Sequence, residues 1–295
     1  HLSIRRQRQM CIRDRGVAQG CLIDTPEGKW YAMLFQDNGA VGRSPWLISV
    51  KWEDNWPVLG ADGKASETVD INDNIKGLAN IVASDEFDRQ PGEPLPLAWQ
   101  WNHNPDNRFW SIGGRKGFLR LTTGRVDNDV LSARNILTQR TFGPVSSANI
   151  KMDVANMKDG DCAGLIALQR RYGFVGVKME GENKSIVMVN VPPDQSGEHG
   201  RPPKPSPPEE VESIPLEQSI VYFKIDCDFR DRADKAYFYY SLNGETWLKI
   251  GSVLQMSYTM PHFMGYRFGL FNFATKTAGG LVDFDYYHVS DKINE

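Results

Sequence analysis

Short apolar runs separated by turn-forming residues recur along this chain, and no long stretch shows the periodicity of a helix. Near the N-terminal end, the apolar run Trp30–Phe35 lies between Asp24-Thr25-Pro26-Glu27-Gly28 and the polar break Gln36-Asp37-Asn38-Gly39. Proline favours the second position of a turn and glycine tolerates positive φ, so the chain is predicted to reverse at both breaks. So continuous an apolar run suits a strand buried on both faces. A third strand at Trp46–Trp52 completes three short antiparallel strands, which is most of a propeller blade.

The longer C-terminal part, from Ser84 to Val289, repeats this alternation of strands and turns. Three strand pairs are predicted, at residues 110–112 with 118–121, 173–179 with 185–189, and 236–242 with 246–250. The last turn, Asn243-Gly244, supplies the two positive φ values of a tight two-residue hairpin. Many short strands without a long helix predict a β-sandwich. The segment 192–215 is rich in proline, glycine, serine and glutamate, and is predicted to be a solvated, mobile loop.

Composition excludes several classes of protein. The 295 residues are enough for one large or two ordinary domains, and a hydrophobic content of 40% is enough for their cores. A net charge of −3 gives no electrostatic footprint for nucleic acid or an anionic membrane, whereas a neutral polysaccharide is compatible. No apolar run approaches the roughly 20 residues that span a bilayer. The four cysteines form no CxxC pair and are predicted to be free or buried thiols: Cys11, Cys21, Cys162 and Cys227.

Residues 1–15, HLSIRRQRQMCIRDR, differ from everything that follows because five arginines crowd a segment without strand alternation. A basic disordered arm is one interpretation. A targeting signal is excluded because no apolar core follows the charges. We favour a third interpretation, that RRQRQMCIRDR resembles translated sequencing-adaptor read-through, so that these residues are not native to the protein.

The N-terminal strands carry motifs that resemble those of glycoside hydrolase family 43. The matching residues are Gln19-Gly20, Ile23-Asp24-Thr25, Trp30-Tyr31-Ala32-Met33, Phe35-Gln36-Asp37, Gly42-Arg43, Trp52-Glu53-Asp54 and Trp56-Pro57. Members of that family are mostly β-xylosidases and α-L-arabinofuranosidases built on a five-bladed β-propeller. The motifs come late in the family's catalytic domain, so the resemblance implies that 16–60 is the last part of a propeller and that its other blades precede this chain. Any export signal would precede it too, so the sequence does not indicate a compartment.

The second part resembles the concanavalin A-like (jelly-roll) β-sandwich appended to many family 43 β-xylosidases. The resemblance depends on Ser84-Asp85-Glu86-Phe87, Trp99-Gln100-Trp101-Asn102-His103-Asn104-Pro105, Leu137-Thr138-Gln139-Arg140-Thr141-Phe142-Gly143-Pro144, Met157-Lys158-Asp159-Gly160-Asp161 and Val282-Asp283-Phe284-Asp285-Tyr286. The predicted organisation is an all-β chain, with a partial five-bladed propeller at 16–60, a polar linker at 61–83 and a sandwich at 84–291.

Inverting glycoside hydrolysis needs a carboxylic acid and a carboxylate base roughly 6.5 to 9.5 Å apart. In the family, these are an early aspartate, a second aspartate that tunes the acid, and a glutamate, all of which normally precede Gln19-Gly20. None is placed on this chain, which we therefore expect to be catalytically silent by itself. A less favoured alternative pairs Asp37 with Glu53 or Asp54, although turns also collect acidic residues for local hydrogen bonds.

The resemblance implies a substrate-contacting arginine at Arg43, with Gln36 and Asp37 lining the same pocket. A guanidinium forks two hydrogen bonds to sugar hydroxyls or orients a carboxylate, which a lysine cannot reproduce; a surface ion pair is the alternative role. Many family members have a histidine before Gln19, near a metal or water on the propeller axis. Ala18 stands at that position here, which puts a central calcium ion in doubt.

Aromatic residues of the sandwich have two interpretations. Trp99, Trp101 and Trp110 could stack on sugar rings, but large aromatics in a sandwich more often belong to the core. In related xylosidases a phenylalanine from this domain closes the active-site pocket, and Phe263 is the best match. A closed pocket favours trimming single sugars from chain ends. His103 and His262 are expected to have hydrogen-bonded structural roles.

Acidic residues at the first and last strands of the sandwich suggest a calcium site. Asp85 and Glu86 would meet Asp283 if the two strands pair, with Asp88 and Asp285 nearby, since Ca²⁺ takes about six to eight oxygen ligands. Ordinary strand-end charges are the alternative. No cofactor is required for hydrolysis, so calcium would be structural.

Two functions remain open from the sequence. The favoured one is an exo-acting β-xylosidase or α-L-arabinofuranosidase, with xylo- or arabino-oligosaccharides as substrates and with no nucleic-acid or membrane partner. The alternative is a non-catalytic carbohydrate-binding β-sandwich, with the N-terminal strands as a remnant. The motif around Arg43 favours the first, because a lectin-like domain has no need of it. Oligomeric state is not indicated.

Overall fold

The chain divides into two compact units, His1–Leu78 and Ala79–Glu295. The computed structural model describes residues 17–61, 64–65, 68–69, 80–194, 206–257 and 264–294. The division falls inside the segment 61–83 that the sequence predicts to be a linker, and residues 1–15 lie outside the described ranges. No helix in the described part of the chain is long and apolar enough to cross a membrane.

The first unit is a four-stranded antiparallel sheet in which strands adjacent in sequence are neighbours. The predicted turn after Asp24 is present, with Gly28 at a φ of 77°. Asp54 and Asn55 both have positive φ and form a two-residue hairpin turn. A fourth strand extends the predicted three, and the strands are β1 (Val17–Asp24), β2 (Trp30–Asp37), β3 (Arg43–Glu53) and β4 (Trp56–Leu59).

The apolar strand β2 is only partly buried. Ala32 packs with Ile48 and Val50 of β3 in a small apolar cluster, and its neighbour Tyr31 is also buried. Met33, however, is 37% exposed, and it shares a row of the sheet with exposed Cys21. Tyr31 and Ala32 are therefore buried on the two faces of β2, as predicted, whereas Met33 is not, because no residue in the described part of the chain covers it.

The second unit contains two antiparallel sheets. Its strands are β5 (Gln100–Trp101), β6 (Trp110–Ile112), β7 (Leu119–Thr122), β8 (Leu137–Arg140), β9 (Val145–Asp153), β10 (Asp161–Leu168), β11 (Gly173–Glu180), β12 (Asn183–Asn190), β13 (Glu209–Leu216), β14 (Ile220–Asp228), β15 (Lys235–Ser241), β16 (Leu248–Lys249), β17 (Leu254–Gln255), β18 (Arg267–Ala274) and β19 (Leu281–Ser290). One sheet has the order β13-β12-β11-β10-β18-β8-β5. The other has the order β16-β15-β14-β9-β19-β7-β6, with β17 beside β15.

The core of the second unit lies between these two sheets. Strands β10 and β11 of one sheet contact β14 and β15 of the other, and the inward side chains include the fully buried Phe223, Phe238 and Phe268. All eight residues of β10 are buried, because a second apolar cluster, with Val130 and Phe271 among its members, covers the outer face of that sheet. Cys21, Cys162 and Cys227 are free thiols, as predicted.

Two of the three predicted hairpins are present, and the third differs. Strand β15 ends at Ser241 and β16 begins only at Leu248, so the Asn243-Gly244 loop is longer than a two-residue turn. Only Gly244 of this pair has positive φ. The Asn243 carboxamide Oδ1 instead accepts hydrogen bonds from the backbone amides of Glu245 and Thr246 at 2.9 Å each. The side chain thus organises a wider loop that the dipeptide alone did not indicate.

The predicted loop 192–215 also requires correction. Residues 195–205 lie outside the described ranges, but Glu209–Leu216 forms β13, which pairs with β12 at the edge of its sheet. An edge strand tolerates charged residues and proline, because one of its sides makes no ladder hydrogen bonds. This strand is exposed over most of its length, so it lacks the apolar alternation on which the prediction of strands depends.

Candidate functional site

The corner between β2 and β3 brings Asp37 and Arg43 together. A 3-10 turn at Gly39–Val41 joins the strands, and the Asn38 amide donates to the Gly42 carbonyl oxygen at 2.9 Å. Gly42 has a φ of 90°, which a residue with a side chain rarely adopts. The chain therefore reverses so that Asp37 and Arg43 become cross-strand partners.

The Arg43 guanidinium contacts Asp37 and Phe35. Its Nε donates to Asp37 Oδ1 at 3.1 Å, and its Cζ lies 4.1 Å from the centre of the Phe35 ring. Phe35 and Asp37 are two residues apart on β2, so their side chains share one face of the sheet. The Arg43 side chain is 30% exposed. A guanidinium oriented in this way is suited to bind a sugar hydroxyl or a carboxylate at little entropic cost.

Gln36 lies on the opposite face of the same strand. The indole Nε1 of Trp46 donates to Gln36 Oε1 at 2.8 Å. Adjacent strand residues point to opposite faces, so this pair is separated by the sheet from the Asp37–Arg43 pair. The structure therefore brings Asp37 and Arg43 together and places Gln36, the third predicted residue, on the other face of the sheet. Phe35 and Trp46 were not predicted as partners of Arg43 and Gln36, although the alternation of faces along β2 was an available signal.

The alternative carboxylate pair does not have the geometry for glycoside hydrolysis. Asp37 lies opposite Arg43 at the start of β3, whereas Glu53 ends that strand. Ten residues of extended strand span roughly 33 Å. An inverting acid and base are only about 6.5 to 9.5 Å apart, so Asp37 and Glu53 cannot act on the same bond.

The three tryptophans of the sandwich do not form one platform. Trp99 is buried against Phe87 and Tyr287, and its Nε1 donates to Asp85 Oδ2 at 2.7 Å. It therefore belongs to the core. Trp101 and Trp110 are half-buried and contact each other with their ring centres 5.0 Å apart.

The carboxylates predicted to bind calcium do not converge. Asp85 receives hydrogen bonds from both terminal nitrogens of Arg89, and Asp283 receives two from Arg120, at 2.7 and 2.9 Å. Glu86 instead contacts His288. Within the described ranges, no group of three or more histidine, cysteine, aspartate or glutamate side chains is placed to hold a metal ion. Arginines thus supply the positive charge for the two buried aspartates.

The phenylalanine and the two histidines predicted in the sandwich remain to be placed. Phe263 and His262 lie outside the residues that the structure describes. His103 Nε2 lies 2.8 Å from the Leu131 carbonyl oxygen, which is the structural role predicted for it.

Comparison with known proteins assigns the second unit to a family. Residues 84–290 match the family model GH43_C2, described as the beta xylosidase C-terminal Concanavalin A-like domain. A β-xylosidase of Formosa agariphila is 27% identical over 305 residues, which cover 94% of this chain and 48% of the relative. The chain thus spans less than half the length of that relative.

Solved structures extend the likeness to both units. A structure titled as a bifunctional GH43-CE protein of Bacteroides eggerthii is 56% identical, with a TM-score of 0.84, and the match covers 95% of this chain and 35% of that one. A GH43 glycoside hydrolase engineered for endo-xylanase and exo-arabinofuranosidase activity is 30% identical, with a TM-score of 0.80, over 93% of this chain and 54% of that one. The predicted fold class, a partial propeller followed by a concanavalin A-like sandwich, is confirmed. The chain belongs to glycoside hydrolase family 43 and carries its beta xylosidase C-terminal Concanavalin A-like domain.

Proposed function

We propose that this chain is part of an exo-acting glycosidase that removes single sugars from xylan-derived oligosaccharides, with β-xylosidase as the first activity and α-L-arabinofuranosidase as the alternative. Family membership supports the general glycosidase function, and relatives are named for both activities. The oriented Arg43 guanidinium is the observation that carries the proposal, because a stand-alone binding domain would not need it.

In this proposal Arg43 contacts the substrate and Asp37 is a positioning residue. Asp37 accepts the Arg43 Nε hydrogen bond and so helps to fix the orientation of the guanidinium plane. Gln36 lies on the opposite face of the sheet, where its Oε1 accepts from Trp46, so any contact it makes with substrate would come from that face. Phe263 would close the pocket from the sandwich. Roles for Gln36 and Phe263 depend on the family resemblance alone.

The reaction proposed is single-step hydrolysis with inversion. One carboxylic acid protonates the leaving oxygen, while a carboxylate removes a proton from the attacking water. Neither group is assigned to this chain, because the described part of the first unit is one four-stranded sheet, which is one blade's worth of structure. We therefore expect the purified 295-residue chain to show no turnover of 4-nitrophenyl β-D-xylopyranoside, and measurable turnover would contradict this assignment.

The Arg43 proposal is tested in the enzyme encoded by the complete gene. Arg43→Ala is expected to lower kcat/KM by about 100-fold, because a hydrogen bond to a charged group stabilises by roughly 1.5 to 3 kcal/mol. Lys51→Ala, an exposed change on the same strand, is the matched control and should leave kcat/KM unchanged. Circular dichroism verifies that both variants fold. Near-normal kinetics for Arg43→Ala would remove this residue from the site.

The positioning role of Asp37 has a separate signature. Asp37→Asn should lower kcat/KM by less than Arg43→Ala does, and the double variant should be no worse than Arg43→Ala alone. This non-additivity is expected because Asp37 would act only through the guanidinium that it holds. Fully additive losses would show that Asp37 acts independently of Arg43.

A further inference from the structure

An open cavity of about 270 Å³ lies at one end of the sandwich, where loops from both sheets meet. It is lined by the segment before β6, the segment after β7, the segment before β8 and the end of β18. These segments are far apart in sequence, so no local motif indicated the cavity. Its lining includes the charged and aromatic residues Asp106, Arg108, Phe109, Arg125, Asp127 and Arg134.

Hydrogen bonds hold the walls of this cavity in place. Buried Asn135 accepts from the Asp106 amide at 2.9 Å and donates its Nδ2 to the Asp106 carbonyl oxygen at 3.1 Å. The Thr122 amide donates to the Phe109 carbonyl oxygen. The Phe109 ring lies directly against Gly124, where a Cβ would come within 2.5 Å of the ring. The cavity is thus a built feature of the fold and not a gap between mobile loops.

The charges lining the cavity are three guanidinium groups and two carboxylates. Arg108 binds Asp106 through two hydrogen bonds at 2.9 and 2.7 Å, and Arg125 pairs with Asp127 at 2.8 Å. Arg134 is exposed, donates to the Asn104 carbonyl oxygen, and forms no ion pair with any residue in the described ranges. The Arg134 guanidinium is near enough to Asp106 to help lower the pKa of that carboxyl, but the two side chains form no ion pair, so Arg134 can still pair with the carboxylate of a ligand.

The other polar groups suit hydroxyls better than a bare anion. The carboxylates of Asp106 and Asp127 would repel a multiply charged inorganic ion, whereas they accept hydrogen bonds from hydroxyl groups. Buried Asn272 donates to the Leu121 carbonyl oxygen, and its Oδ1 has no hydrogen-bond partner in the part of the chain that the structure describes. The volume is slightly below the roughly 300 Å³ of the smallest drug-sized pockets, which suits one sugar ring.

We propose that this cavity binds one uronic-acid unit of a glycan, with the sugar carboxylate on Arg134 and its hydroxyls toward Asp106 and Asp127. The guanidinium of Arg134 would form the forked, charge-assisted pair with the carboxylate. This proposal concerns the second unit alone and does not depend on Arg43 or on any catalytic activity. It would let the sandwich recognise acidic side groups of a polysaccharide.

The test measures binding of sodium D-glucuronate to the 295-residue chain by ligand-observed and protein-observed NMR. D-glucose and sodium acetate are the comparison compounds. D-glucose has the ring hydroxyls without a carboxylate, and acetate has a carboxylate without the ring. Glucuronate is expected to bind saturably, and about tenfold more tightly than either comparison compound. Binding should weaken as salt is added, since the Arg134 guanidinium is exposed.

Variants locate the site. Arg134→Gln should weaken glucuronate binding by about tenfold, and Arg134→Lys should weaken it less because it keeps the charge and loses the fork. Arg140→Gln, an exposed arginine beside the opposite end of β18, is the matched control and should have no effect. Equal binding of glucose or acetate, no binding of glucuronate, or unchanged affinity in the folded Arg134 variants would each overturn the proposal.

Discussion

The buried carboxyl group of Asp161 makes the stability of the sandwich depend on pH. Asp161 begins β10, and its side chain has no solvent exposure. Its Oδ2 accepts a hydrogen bond from the Lys158 amide at 2.7 Å, and the Thr123 hydroxyl lies 3.4 Å from Oδ1. Burial disfavours the ionised form more than these donors favour it, so the pKa of Asp161 rises from 3.8 to about 6.

The direction of the pH effect follows from this shift. Between pH 3.8 and about 6, the folded protein keeps a proton on Asp161 that the unfolded chain has released. Raising the pH through this window therefore lowers stability, by about 3 kcal/mol at most, since each pKa unit corresponds to roughly 1.4 kcal/mol. At higher pH the loss stays constant, because both states are then ionised.

Asp161→Asn isolates this effect because asparagine does not titrate. Relative to the unmodified chain, the variant should gain about 2 to 3 kcal/mol of unfolding free energy between pH 4 and pH 7. Any loss of hydrogen bonding in the variant adds a constant that does not change with pH. Equilibrium urea unfolding at each pH, followed by circular dichroism, gives the difference.

Asp106→Asn is the matched control. The neighbouring Arg108 guanidinium lowers the pKa of Asp106 to about 2, so this carboxyl is ionised in both states above about pH 5. Its variant should therefore show a flat difference between pH 5 and pH 7. A flat difference for Asp161→Asn as well, or one of opposite sign, would refute the reasoning about burial. Titrating the Asp161 carboxyl directly by carbon-13 NMR provides a second measurement of the pKa.

Two further changes test contacts that stabilise the sandwich. Arg120→Gln should lower the free energy of unfolding by about 3 kcal/mol, because it removes two hydrogen bonds from the buried carboxylate of Asp283. Arg108→Gln changes an exposed ion pair and should leave the urea midpoint unchanged. Equal effects of the two changes would contradict this. Gly164→Ala should lower the free energy of unfolding by about 2 kcal/mol, because the new Cβ would lie 2.3 Å from the Val175 carbonyl oxygen. An unchanged urea midpoint would show that β10 and β11 move apart at little cost in free energy.

Local sequence determined the strands and most of the turns of this protein. The turn at Gly28 and the hairpin of β11 with β12 were predictable because turn residues act on their own backbone and strand residues alternate faces. The same reasoning failed at Asn243, where a side-chain acceptor widened the loop. It failed again at β13, where the strand lies at a sheet edge and needs no apolar face.

The strand pair that carries Asp37 and Arg43 was likewise predictable from the sequence, because its two strands are adjacent along the chain and a short turn fixes their register. Tertiary structure alone decided which charges meet in the sandwich. Asp283 pairs with Arg120 across 163 residues, and the cavity beside Arg134 collects side chains from segments 106–109 to 272–273. The order of strands in the sheets decides which charged side chains become neighbours. Strand order depends on the packing of the whole core and not on any local pattern of residues.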